Sequence, residues 1–248
     1  MINIIKYNDL GGADHGWLKA KHHFSFASYQ NPERVHFGPM RVINDDVVSP
    51  QTGFASHPHD NMEIITYVRK GAITHKDNMG NVGKTEAGDV QVMSAGTGVV
   101  HSEYNYENED TNLYQIWIFP NKKDVKPRWD AKKFPKEPVK GKLKPLVTGF
   151  ENDNDQTLKI YQDIEILAGN INQGDFVDQT INRNQAYVLC SKGKIKINGK
   201  EIIKGDGAEI TKEKNVKIEA LEDAEVLFID LPKYCLLYTS PSPRDDEL

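Results

Sequence analysis

The chain has 248 residues, 38% of them hydrophobic and 27% charged, with a formal net charge of −5. That length buries a substantial core, as one large β domain or, as we read it, two smaller ones, and the composition excludes pervasive disorder. The mild acidic balance gives no electrostatic footprint for DNA or RNA, and no apolar run approaches the roughly 18 residues that span a bilayer, so neither nucleic acid nor membrane is expected as a partner. The opening "MINIIKYNDLGG" lacks a signal-peptide apolar region and cleavage site, which predicts a cytoplasmic protein. Cys190 and Cys235 stand in no disulfide-framework, redox or metal-ligand spacing, so any metal must be held by histidine and carboxylate.

In chain order, residues 1–120 hold short β-like runs, "ERVHFGPMRVIND", "MEIITYVRKGAITHKD", "GDVQVMSAGTGVVHSEYN" and "NLYQIWIFP", separated by Gly, Asn, Asp and Pro clusters. Regular short strands with turn signals predict a sandwich or barrel. Residues 121–145 change character, with ten Lys or Arg against three acids and four prolines, and read as a basic, solvated linker between domains. From 146 to 232 the β pattern resumes in "LKIYQDIEILAG", "AYVLCSKGKIKINGKEIIKGDGAEI" and "AEVLFIDLP". Its plan of strand, tight turn, strand and Gly-Asp parallels "RKGAITHKDNMGNVGKTEAGDVQVM", which suggests a degenerate duplication. Residues 233–248 read as a disordered or cloning-derived tail; their final "DDEL" is similar to a retention signal but has no entry signal to serve.

The chemistry concentrates in the first half. His57 and His59, two apart on a predicted strand, project to the same face, and "HSE" repeats that spacing with His101 and Glu103, forty-two residues after His59. Two such pairs on facing strands close a cage of three imidazoles and one carboxylate, a donor set suited to a divalent first-row metal with positions left open for substrate, water or O2. Gly96 and Gly98 bend the chain tightly just before His101. The eighth and last histidine is His101, so only the first half can hold a histidine-bound metal. Among the others, one of His22 and His23 could line the mouth of the pocket, although a capping or surface role is the commoner reading, His75 can face either side of its strand, and His15 and His36 carry no signal. Phe24, Phe26, Tyr114 and Trp117 offer a flat apolar slot or, more commonly for such stripes in barrels, plain core.

The stretch "GFASHPHDNMEIITYVRKGAITHKDNMGNVGKTEAGDVQVMSAGTGVVHSEYN" closely resembles the pirin family of bicupins, in particular its bacterial quercetinase-like members. The resemblance starts at "GWLKAKHHFSFASYQNPERVHFGPMRVIND" and runs through "LYQIWIFP", while the second half agrees in plan. It implies an all-β bicupin, two jelly-roll β-barrel cupin domains facing each other, with one divalent metal, commonly iron as Fe(2+), in the N-terminal domain. By matching positions it implies His57, His59, His101 and Glu103 as ligands. The wider cupin pattern would instead take its carboxylate from Glu63, whereas the pirin-like pattern takes the acid of "HSE" and leaves Glu63 as a neighbour hydrogen-bonded beneath the site. The motif "HPHDNME" departs from the "HPHRGFE" of eukaryotic pirins, which puts the regulatory roles of those relatives in doubt here.

The activity implied is opening of the central ring of a flavonol such as quercetin by O2, with release of carbon monoxide. Metal binding would lower the pKa of the flavonol hydroxyl, and Glu103 is the expected base that accepts its proton. The expected partners are a small planar aromatic substrate and O2, and the expected state is a monomer. A non-enzymatic, redox-responsive metalloprotein that modulates a partner uses the same four ligands and differs in lacking a cavity for a planar polyphenol.

Overall fold

A computed structural model describes residues 1–233 of the chain. The expected tail at 233–248 lies, from residue 234 onward and with Cys235 in it, outside the described residues. The first strands are β1 (Ile2–Ile5), β2 (Gly11–Asp14), β3 (Leu18–His22), β4 (Met40–Val48), β5 (Thr52–His59) and β6 (Glu63–Lys70). There follow β7 (Ala72–Asp77), β8 (Val82–Glu86), β9 (Val90–Ser94), β10 (Val99–Asn105), β11 (Thr111–Ile118) and β12 (Arg128–Lys132). The remainder comprises β13 (Lys144–Gly149), β14 (Leu158–Ile160), β15 (Glu165–Ile171), β16 (Phe176–Thr180), β17 (Gln185–Lys192), β18 (Lys194–Ile197), β19 (Lys200–Ile203), β20 (Gly207–Thr211), β21 (Asn215–Ala220) and β22 (Ala224–Leu231). Among the described residues the chain falls into two compact units, one of residues 11–134 and 158–162, the other of residues 1–10, 135–157 and 163 onward.

The first unit pairs a sheet ordered β12-β9-β6-β11-β4-β3-β2 with a shorter one ordered β5-β10-β7-β8. Period-two alternation sets what faces inward: on β10, Val99, His101, Glu103 and Asn105 are buried while Val100 is exposed. The longer sheet supplies the apolar filling through Val42, Ile64, Met93 and Trp117, which pack with Val99, Phe26 and Phe119. The turn into β10 is held by the Gly98 N–H donating to the Ala95 carbonyl at 2.9 Å. Gly96 adopts φ +49° there, and a Cβ on it would lie 2.0 Å from the Val125 carbonyl oxygen, so the turn requires glycine twice over.

The second unit repeats the plan, with β1-β20-β17-β22-β15-β13 in one sheet and β16-β21-β18-β19 in the other. Val188, Cys190, Ile195, Ile197, Ile218 and Phe228 are fully buried in its core.

The structure differs from the expected domain limits in two places. Ile2 pairs with Ile210 and packs into the second unit's core, so the first ten residues belong with the far half of the chain. Residues 121–145 are not a free linker: β12 pairs in register with β9, Trp129 opposite Met93, and Val139 and Leu143 are buried in the second unit. The physical reason is placement. Pro127 and Pro135 flank β12 rather than interrupt it, and β12 is an edge strand, where missing amide donors are tolerated.

Candidate metal centre

β5 and β10 run antiparallel with His57 opposite His101 and His59 opposite Val99. Between that register and the pairing of Glu103 with Phe54, three steps along β5 oppose two along β10, so the extra residue is a bulge at residues 55–56. The bulge aims His57, whose Nδ1–H donates to the Ala55 carbonyl at 2.7 Å. The donor nitrogens of His57, His59 and His101 lie within 4.8 Å of one another, a cluster that can hold a metal ion.

The proton inventory of the three rings fits a cation at their centre. With its Nδ1 proton committed to Ala55, His57 presents an Nε2 lone pair, and that atom lies 3.1 Å from Nε2 of His101. His101 Nδ1 meets Nδ1 of His75 at 3.4 Å, and His75 Nε2 is 2.9 Å from the Asp77 carboxylate, which accepts its proton. The proton between the two Nδ1 atoms therefore sits on His101, and its Nε2 is also a lone pair. His59 Nε2 is buried and has no hydrogen-bond partner among the described residues. Two lone pairs face to face and a third buried nitrogen left unpaired are unfavourable alone and are relieved by one shared positive ion.

Electrostatics keep these rings neutral and ready to ligate. Burial pushes His59 down to about 3, with the neighbouring His57 adding to it. It pushes His101 down to about 2, with His57, His59 and His75 contributing. His57 is lowered by burial against the opposing effect of the Ala55 bond. Neutral imidazole is the form that binds metal.

Glu103 lies outside the three-histidine cluster. It is buried among donors from the facing sheet: Oε1 accepts from Gln91 Nε2 at 2.5 Å and from the Thr66 hydroxyl at 3.1 Å, and Oε2 accepts from Gln115 Nε2 at 2.7 Å. Burial raises it to about 7, with the bonds from Thr66, Gln115 and Gln91 acting in the other direction. Gln115 in turn accepts from the Trp117 indole N–H at 3.1 Å, and the Trp117 ring stands edge-on to His59 with centroids 4.9 Å apart.

Glu63 points elsewhere. Its carboxylate accepts from the Ser94 hydroxyl at 2.8 Å, burial raises it to about 7, and the remaining groups acting on it are the Tyr161 backbone and Arg128. It starts β6, on the strand that pairs with β9 at Ser94, and has no bond to the histidine cluster.

A cavity of about 800 Å³ within the first unit is lined by His57, by the aromatic rings of Trp17, Phe26 and Phe54, and by Asn44, Asp46 and Gln115. His22 is buried rather than capping or at the surface, takes the pocket-lining place that was the second reading of it, and meets Asn44 Oδ1 through Nδ1 at 2.8 Å. His23 is also buried, its pKa pushed down to about 3 by burial and then by Arg34. His15, which carried no signal, is part of the lining, whereas Phe24 and Tyr114 are core residues under the guanidinium groups of Arg34 and Arg69. The cavity residues that sequence reasoning missed include Trp17, Phe54, Asn44, Asp46 and Gln115. For Asp46 the signal was present: "INDDVV" sets consecutive polar residues inside an otherwise apolar strand. Asp46 is buried with Oδ1 unpartnered among the described residues, and burial, with Asp45 and Glu103 nearby, raises its pKa well above the usual carboxylate range.

Two antiparallel β-barrel units, one of them bearing a three-histidine cluster, with His101 buried and His57 and His59 half-buried, able to hold a metal ion, define a two-domain protein of the cupin class. Its affiliation is more specific: the family model described as Pirin matches residues 5–118 and that of the Quercetinase C-terminal cupin domain matches residues 148–231, and the chain belongs to the pirin family. A pirin-like protein of Caulobacter vibrioides is 49% identical over 93% of this chain and 99% of its own length. A quercetin 2,3-dioxygenase of Escherichia coli is 42% identical over 94% of this chain and 99% of its own. The crystal structure of YhhW from Escherichia coli matches with a TM-score of 0.88 at 40% identity, over 94% of this chain and 98% of that one. The structure of the bacterial pirin YhhW in complex with nickel(II) matches with a TM-score of 0.86 at 39% identity, over 94% and 99%.

Proposed function

We propose that this chain is a metal-dependent dioxygenase that opens the central ring of a flavonol such as quercetin with O2. In this reading the metal sits in the first unit, held by His57, His59, His101 and Glu103, and is iron(II), with other first-row ions able to replace it. The second unit, which has no histidine, carries no metal.

The observation that carries the reading is the convergence of three imidazoles beside a cavity that His57 itself lines. The rings of Trp17, Phe26 and Phe54 give flat apolar contact for a planar polyphenol, and Asn44, Asp46 and Gln115 give polar partners for its hydroxyls. When bound, the ion supplies Lewis acidity that favours the deprotonated flavonol. Thr66, Gln91 and Gln115 hold and orient the Glu103 carboxylate, to which we assign the roles of ligand and proton acceptor. The name of the Escherichia coli quercetin 2,3-dioxygenase supports the substrate class.

The test is elemental analysis of the purified protein together with loss of quercetin absorbance under air and under argon. Turnover that needs metal and oxygen and is lost in His57→Ala, with the fold intact by circular dichroism, is expected. Equal turnover under argon, or normal turnover in His101→Ala, would overturn the assignment. A metal-loaded protein without turnover would favour the regulatory reading.

A further inference from the structure

We propose that Asp77, His75 and Trp129 form a positioning assembly that fixes the tautomer of His101 and thereby sets the strength of the metal centre. The proposal rests on the metal-site reading above and concerns residues to which that reading gives no role.

The assembly is built outward from Asp77, at the end of β7. Its Oδ1 accepts from the Met79 and Asn81 backbone N–H groups at 2.9 and 3.0 Å, and its Oδ2 accepts from Asn81 Nδ2 at 2.8 Å. So held, Oδ2 also accepts the Nε2 proton of His75 at 2.9 Å, with the two side chains 0% and 1% exposed. A carboxylate only accepts, so the His75 proton is committed to that side and its Nδ1 lone pair is turned toward His101 Nδ1, 3.4 Å away. His101 must then carry its proton on Nδ1 and direct an Nε2 lone pair into the cluster.

Two further strands hold His75 in the plane that makes this contact. The indole of Trp129, on β12, stacks on the His75 ring with centroids 4.9 Å apart and planes 9° from parallel. Gly83, the register partner of His75 on β8, leaves the space that the indole occupies, since a Cβ there would lie 2.1 Å from Trp129 Cη2. A fully buried imidazole and carboxylate are a costly way to fill space, and an apolar ring would pack under Trp129 as well. The retained hydrogen-bond chain is explained by what it does to His101: it orients the ring, selects the ligating nitrogen and raises its donor strength, as carboxylate–histidine pairs do behind metal ligands.

The experiment compares the wild type with His75→Phe and His75→Gln, using nickel(II) as the probe in competition with a chelator. His75→Phe keeps a ring against Trp129 and removes the acceptor, and about a 10- to 100-fold loss of affinity is expected. His75→Gln, whose carbonyl oxygen can accept the His101 Nδ1 proton, is expected to recover most of that loss. In the metal-free wild type, long-range 15N–1H spectra of the imidazoles should show His101 protonated at Nδ1 and His75 at Nε2. Nickel affinity within twofold of wild type in a folded His75→Phe, or a His101 proton on Nε2, would overturn the proposal. Should His75→Phe fail to fold, the tautomer spectra decide. The metal-site reading fails separately, if the wild type takes up no stoichiometric nickel or if His57→Ala binds as the wild type does.

Discussion

His59 buries an imidazole nitrogen without a partner among the described residues, a condition that costs about 1–3 kcal/mol when nothing compensates it. Replacing it with an apolar side chain should therefore do little harm to the metal-free protein while abolishing metal-linked stabilisation. For His59→Leu we expect a metal-free melting temperature equal to or above that of the wild type. At nickel a hundredfold above its dissociation constant the wild type should gain about 2.7 kcal/mol and the variant almost none, read by calorimetry with and without the ion. Cys190 makes the opposite case, a thiol with no chemistry to offer. It is fully buried, and burial, helped by the Asp206 carboxylate, pushes it up to about 12. Iodoacetamide at pH 8 should leave the Cys190 peptide unmodified in native protein and label it in denaturant, as read by mass spectrometry. Of the site residues, His57, His59 and His101 were legible from their spacing because β alternation makes an i, i+2 pair convergent. His75 was not, since nothing local says which face of β7 it takes until β10 is laid beside it.

Turns and registers decide the site at the scale of the elements. The Ala95–Gly98 turn delivers β10 to the cluster, and Gly96→Ala meets both a positive φ and the Val125 carbonyl oxygen. We expect it to destabilise the first unit by more than about 1 kcal/mol and to weaken nickel binding, measured as a fall in the urea midpoint and in chelator competition. The Gly-rich run before His101 announced that turn in the sequence, and "INGK" announced the hairpin at Asn198 and Gly199, both at positive φ. The bulge at residues 55–56 had no such signal, because it exists only as a mismatch of register between β5 and β10. For the same reason β12 read as linker: its prolines argue against a central strand, and only pairing with β9 reveals an edge one.

For the whole molecule, the strand that starts the chain belongs with the unit that ends it. β1 covers the edge of β20 from Ile2↔Ile210 to Ile5↔Gly207, and Lys6 pairs with the buried Asp206 at 2.8 Å. Deleting residues 1–5 should strip that edge, lower the thermal midpoint of the second unit and promote association through the unpaired strand, seen by calorimetry and light scattering, with nickel binding by the first unit retained. The sequence by itself determined the all-β class, the repeated strand plan of the two halves, the confinement of histidine to one half and the three imidazole ligand candidates, because composition, period-two alternation and residue spacing are properties of short stretches of chain. Only the tertiary structure decided which unit β1 joins, that β12 is a strand, that Glu63 bonds to Ser94 while Glu103 lies among Thr66, Gln91 and Gln115, and that Asp77, His75 and Trp129 stand behind His101. Each of these depends on contacts between strands distant in sequence, and cross-strand register carries no mark in either strand alone.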